Sequence, residues 1–146
     1  MRVTQEADYA IRICIVLDEA GGKLGAAEIA ERAGVTQRFA LKILRKLNGE
    51  SIVSSFKGSS GGYVLKEDAA ELSVARVVSA IDGPICISKC MESDYECTRN
   101  PQKTKCKMHL TFCALNAQLA EKLSRIRIRH LTDQSVTAAD LAALIK

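Results

Sequence analysis

Residues 26–65 constrain the fold more than any other part of the chain, because they string two short helical patterns, a tight turn and two short strands together with almost no slack. The run AAEIAERA reads as a helix that stops at Gly34, a C-terminal signal. Thr36 then serves as the N-cap of a second helix, in which Ala40, Ile43, Leu44 and Leu47 form one apolar face. Arg38, Lys42 and Arg45 recur at i, i+4 and i+7 on another face. Two helices joined by Gly-Val-Thr, the second with a basic outer stripe, make a helix-turn-helix pattern, although an ordinary helical hairpin has the same periodicity. The following residues add to it. Residues 51–56 and 63–65 read as short strands rich in β-branched and aromatic side chains, joined by Lys57-Gly-Ser-Ser-Gly-Gly62, whose glycines suit a tight hairpin turn. A hairpin placed directly after a recognition helix is a wing. The Lys-Ser/Thr that would make such a glycine-rich loop a phosphate-binding P-loop is absent.

Charge supports this reading by its distribution. The chain is only +4 overall, yet residues 36–66 hold six basic residues against Glu50 alone, which leaves the remainder near neutral. A basic segment on a balanced body is the electrostatic footprint of a phosphate-binding surface.

The flanking segments read as helices. In residues 4–20, Tyr9, Ile13 and Val16 recur beside Ala10, Cys14 and Leu17, an apolar face wide enough for a helix buried between other elements, ended by Gly21-Gly22. Ser73 caps a helix with Val74, Val77, Val78 and Ile81 as its stripe, closed by Gly83-Pro84. Residues 105–130 read as one long helix with Met108, Phe112, Leu115, Leu119, Leu123 and Ile126 spaced by three and four, a seam of coiled-coil type that a second copy of the chain would bury. The rival is a seam folded back on its own domain. Thr137 opens a short final helix. The expected fold is mainly α with a small β-hairpin: a winged helix-turn-helix domain over residues 1–84, a cysteine-rich cluster-binding loop over 85–106, and a long C-terminal dimerisation helix with the final helix over 107–146.

Between the two halves lies an irregular stretch of some twenty residues, and a compact domain seldom keeps so long a loop unless something orders it. Five of the six cysteines, Cys86, Cys90, Cys97, Cys106 and Cys113, fall within 28 residues there, whereas Cys14 lies in an apolar helical run and reads as a small core hydrophobe. The paired C-x2-4-C knuckles of zinc ribbons are missing, and thiols spread over a flexible loop better suit a bulkier centre whose irons take ligands from separated points. Free thiols, or a regulatory disulfide, remain the alternative.

Together these segments resemble the Rrf-two family of winged-helix transcriptional regulators, of the IscR, NsrR and RirA type. The likeness runs from Met1 to about Leu131: MRVTQEADYAIR, the helix pair AAEIAERAGVTQRFALKILRKL, the wing SFKGSSGGYVL, the segment SVARVVSAIDGP, and a cysteine loop leading into a long helix. The resemblance implies a homodimer on double-stranded, partly palindromic operator DNA, and an iron–sulphur cluster of two-iron or four-iron type held by Cys90, Cys97 and Cys106. Asp8 matches a first-helix position where some members supply a carboxylate from the other subunit, and His109 matches a histidine three places after the third cysteine. Both stay open as fourth ligand. The gap from Cys97 to Cys106 is longer than the family's usual spacing, and Cys86 and Cys113 have no clear counterpart.

The DNA contacts expected are Thr36, Gln37, Arg38, Lys42, Arg45 and Lys46 on the recognition helix, with Lys57, Ser59, Ser60 and Tyr63 on the wing. The signal would be iron, redox state or nitric oxide; the alternative is a winged-helix regulator switched by thiol oxidation or a small ligand, without a cluster. An enzyme is not expected, since no nucleophile pair, acid pair or nucleotide fingerprint occurs. Charges inside the apolar N-terminal stretch, and no apolar run of membrane-spanning length, point to a cytoplasmic protein with no membrane partner.

Overall fold

The computed structural model describes residues 3–58, 60–100 and 102–146. Seven α-helices and one antiparallel hairpin follow in the order α1 (Gln5–Ala20), α2 (Ala26–Ala33), α3 (Gln37–Gly49), β1 (Val53–Phe56), β2 (Gly62–Leu65), α4 (Val74–Asp82), α5 (Lys107–Arg125), α6 (Ile128–Thr132) and α7 (Ala138–Leu144). The expected architecture, mainly α with a small hairpin, is what the chain adopts. Thr4 caps α1, its Oγ1 accepting from the Ala7 N–H at 3.1 Å while donating to Asp82 Oδ1 at 2.6 Å. One hydroxyl thus satisfies an orphan helix donor and ties the start of α1 to the end of α4.

α1 is the central helix, as its wide apolar face predicts. Ala7, Ala10, Ile13, Cys14, Val16 and Leu17 are buried, and α2, α3, α4, α6 and the hairpin pack around it. Burial pushes the Cys14 thiol up to about 12, so this cysteine is a packing group and not a reactive one. The α3 face of Ala40, Ile43, Leu44 and Leu47 is fully buried, which leaves the basic stripe outward.

The hairpin pairs Val53 with Leu65 and Phe56 with Gly62, so its first strand starts two residues later than the sequence suggests and its second one residue earlier. Ser51 closes α3 with φ 61° and Ile52 donates its N–H to Leu47 O, so both residues terminate the helix before the strand begins. Leu24 pairs with Tyr63 on the far side of β2. A side chain at Gly62 would bring its Cβ within 2.5 Å of Leu24 O, which explains the glycine by close backbone approach.

The single helix expected over residues 105–130 is in fact two. α5 ends at Arg125, and Ile126 and Arg127 are extended before α6 begins. The break is tertiary in origin. Val74 N–H donates to Ile126 O at 2.8 Å, Ile128 N–H to Leu72 O at 2.9 Å, and Arg129 N–H to Ala69 O at 2.9 Å. These bonds satisfy the first-turn donor of α4 and hold Ile128 fully buried beneath α1. The seam accordingly divides. Leu123 and Ile126 pack on Ala7, Val74 and Val78 of their own domain, so for these two residues folding back replaces a partner chain. No residue of α5 is buried, and Met108, Leu110 and Leu115 are each half-exposed or more. Replacing Ile128 by alanine should remove the anchor of the break and cost about 2–5 kcal/mol, read from the urea midpoint.

Candidate functional site

Two surfaces carry the chemistry. The first is the outer face of α3 with the wing. Thr36 caps α3, its Oγ1 accepting from the Phe39 N–H at 3.4 Å, and Gln37, Arg38, Lys42 and Arg45 are exposed along one shallow groove. Phe39, also exposed, meets the Tyr9 ring edge-on at 6.1 Å, and Arg12 stands over that ring at 5.7 Å. This aromatic contact brings the N-terminal part of α1 alongside the basic stripe. There Glu6 binds both Lys42 and Lys46, the latter at 2.7 Å. Hydrogen bonds from Lys42 and then Lys46 hold its carboxyl below the usual carboxylate range. Nothing local in the sequence signals this, since 36 and 40 residues separate Glu6 from its two partners.

On the wing, Lys57 and Ser60 are exposed, Tyr63 is half-buried with both its backbone groups bonded to Leu24, and Ser59 lies outside the described residues. Two residues absent from the sequence-based set join it: Phe56, exposed at the hairpin, and Lys23, whose ammonium stands over the Phe56 ring at 5.7 Å.

The second surface is the cysteine loop. Asn116 of α5 clamps its start, donating to Ile85 O at 2.8 Å and accepting from the Ile87 N–H at 3.1 Å. Between these residues, Cys86 Sγ donates to Ser88 O at 3.1 Å and borders a cavity of about 610 Å³ shared with Thr4, Asp82 and Glu92. Ser88 Oγ lies 3.3 Å from Cys90 Sγ, and Cys90 is buried in a single helical turn. Cys97 is only partly exposed in fractional area, yet its thiol ionises below the usual cysteine range. The cause is hydrogen bonding from the Asn100 and then the Arg99 backbone N–H, with the charges of Arg99 and Lys103 adding to it. Lys103 donates to Glu92 O at 2.8 Å and so fastens the far arm of the loop to the near one. Cys106 is the N-cap of α5 and makes no side-chain cap bond. One turn along, His109 Nε2 lies 3.4 Å from Cys113 Sγ, while its Nδ1 is buried without a partner.

Cys90, Cys97 and Cys106 therefore share one loop but not one coordination site: among the described residues, no three His, Cys, Asp or Glu side chains stand close enough to hold a metal ion. Asp8 is on α1, engaged by Arg12 at 2.9 Å. In kind, the donors fit a metal–sulphur centre: three thiols, one of them acidified, and an imidazole nitrogen whose lack of a partner is costly when buried.

Comparison with known proteins gives a consistent picture. The family model Rrf2, described as an iron-dependent transcriptional regulator, matches residues 3–134. The HTH-type transcriptional regulator IscR of Escherichia coli is 28% identical over 135 residues, covering 91% of this chain and 81% of that protein. Among solved structures, CymR, the global cysteine regulator of B. subtilis, superposes with TM-score 0.70 at 19% identity over 90% of this chain and 96% of its own. IscR of T. potens does so with TM-score 0.67 at 17% identity over 100% of this chain and 89% of its own. No described helix is long and apolar enough to cross a membrane.

Proposed function

Because the chain belongs to the Rrf2 family of transcriptional regulators, we propose that it acts in the cytoplasm as a homodimer on double-stranded operator DNA, and that an iron–sulphur cluster in the cysteine loop sets its affinity. The observation that carries the DNA-binding half is the division of α3 into a fully buried apolar face and an exposed stripe of Arg38, Lys42 and Arg45 beside a wing. A major-groove helix needs that division, and the wing's Lys57 and Ser60 reach toward the neighbouring backbone.

Cys90, Cys97 and Cys106 would hold the cluster. His109 is the better fourth ligand, since its Nδ1 lacks a partner whereas Asp8 is paired with Arg12. The cluster would supply an iron centre labile to iron loss, oxidants and nitric oxide. The chain's own residues do the transmission. Asn116 fixes the loop to α5, the bonds at Ile126 and Ile128 fix α5 to the start of α4, and the Thr4–Asp82 pair fixes the end of α4 to α1. A displacement of the loop therefore reaches the helices on which α3 is packed, and shifts the spacing of two recognition helices that must match about one turn of DNA. The family description as iron-dependent supports this reading.

A second reading has its own observation. Cys86 and Cys90 both contact Ser88, so a thiol pair could switch the loop without a cluster. Iron and acid-labile sulphide analysis separates the two. The DNA surface is tested by selection from a randomised duplex pool. Arg38→Ala should lose about 1–3 kcal/mol of base discrimination and relax the selected sequence at one position per half-site. An unchanged consensus would take base reading away from Arg38.

A further inference from the structure

Two of the basic groups on α3 are not left free to attract DNA. Lys42 and Lys46 are one turn apart on α3, and both ammonium groups bind the carboxylate of Glu6, one to each oxygen. The carboxylate comes from a different helix, α1, and is mostly shielded, whereas Lys42 is more than half exposed. We propose that Glu6 is a specificity-determining residue of the DNA surface: it withholds the charge of Lys42 and Lys46 from phosphate, so that α3 cannot hold duplex DNA by charge alone. The inference rests on the DNA-binding reading above.

The physical basis is the sequence-independent term of DNA binding. Each lysine that neutralises a phosphate releases counterions and strengthens binding to every sequence alike. Two ammonium groups sharing one carboxylate present half their combined charge, and a phosphate approaching them also meets Glu6. Arg38 and Arg45 lie on the same stripe, and neither forms an ion pair among the described residues. Non-specific attraction is held down at the two lysines, while the groups that read bases remain available. The ammonium ends of both pairs stand largely in solvent and are screened there, so the pairs contribute little to folding and removing Glu6 changes binding far more than stability.

The test uses the full-length protein and a fluorescent random-sequence duplex, with affinity measured across a salt series. Glu6→Gln should steepen the slope of log K against log salt by about 0.9 per half-site and raise affinity roughly fivefold per half-site near 0.15 M salt. Sequence enrichment from a randomised pool should fall. Adding Lys42→Ala and Lys46→Ala to Glu6→Gln should abolish the gain. Glu121→Gln, which makes the same charge change on α5, should leave the slope unaltered. An unchanged or shallower slope for Glu6→Gln would overturn the proposal and make Glu6 a buttress that presents the lysines. If neither wild type nor variant binds duplex DNA, the DNA-binding reading fails and this inference with it; binding by wild type with no response to Glu6→Gln removes the inference alone.

Discussion

Alanine at Cys97 is expected to give a colourless protein with no stoichiometric iron or acid-labile sulphide from an oxygen-free purification that yields brown wild type. The Cys97 thiol ionises below the usual cysteine range, held there by the Asn100 and Arg99 backbone N–H groups and by nearby positive charge. A thiolate is the form that ligates iron. Cys90→Ala and Cys106→Ala should give the same loss. Cys14→Ala should keep the colour, because that thiol lies on the fully buried face of α1 and burial holds it protonated, at about 12. Cys86→Ser and Cys113→Ser should keep it as well, which separates a cluster from a thiol switch built on the extra cysteines. His109→Ala should retain colour at first and lose it faster in air, since an imidazole leaves iron more readily than a thiolate. Full colour in all three triad variants would contradict the ligand assignment.

The second large effect is on assembly. α5 is nineteen residues long, no residue of it is buried, and Met108 and Leu115 stand half-exposed two turns apart on the row that includes Phe112 and Leu119. An apolar row of this kind is stable in water when a second copy covers it. Leu115→Glu removes the half-exposed leucine area that a second copy would cover, worth about 1 kcal/mol from each copy, and sets like charges across the pair, so the dimer should weaken by at least roughly thirtyfold. Sedimentation should then show monomer at micromolar concentration. Affinity for operator DNA should collapse with it, because a single α3 reads only a half-site. Gln118→Glu, exposed on the same helix, is the control. A variant that stays dimeric would place the interface elsewhere.

Local periodicity made much of this molecule legible. The four residues on the inner face of α3 are all fully buried, and the caps at Thr36, Ser73 and Thr137 are where the sequence places them. The spacing of a helix face is set by residues near in sequence, so it is legible there. What stayed hidden depends on partners far away. The seam continues smoothly through Ile126, and only the backbone of Leu72 and Val74, more than fifty residues earlier, explains why the helix stops there. Tertiary hydrogen bonds overrode a sound local pattern. Glu6 reads as an ordinary first-turn acid until α1 and α3 are packed together. Gly62 reads as a turn residue, yet it lies in β2 and its cause is the approach of Leu24. The cysteine loop has no period at all, so its spacing indicates chemistry and leaves geometry open.

The proposed function makes the state of the cysteine loop set DNA affinity. It is tested most directly by measuring both in one oxygen-free sample: visible absorbance of the protein and anisotropy of a labelled operator duplex recovered by selection, while a chelator removes the iron. Absorbance and DNA affinity should change together, by about tenfold or more in affinity, with the dimer intact. Bleaching that leaves the affinity unchanged would contradict it.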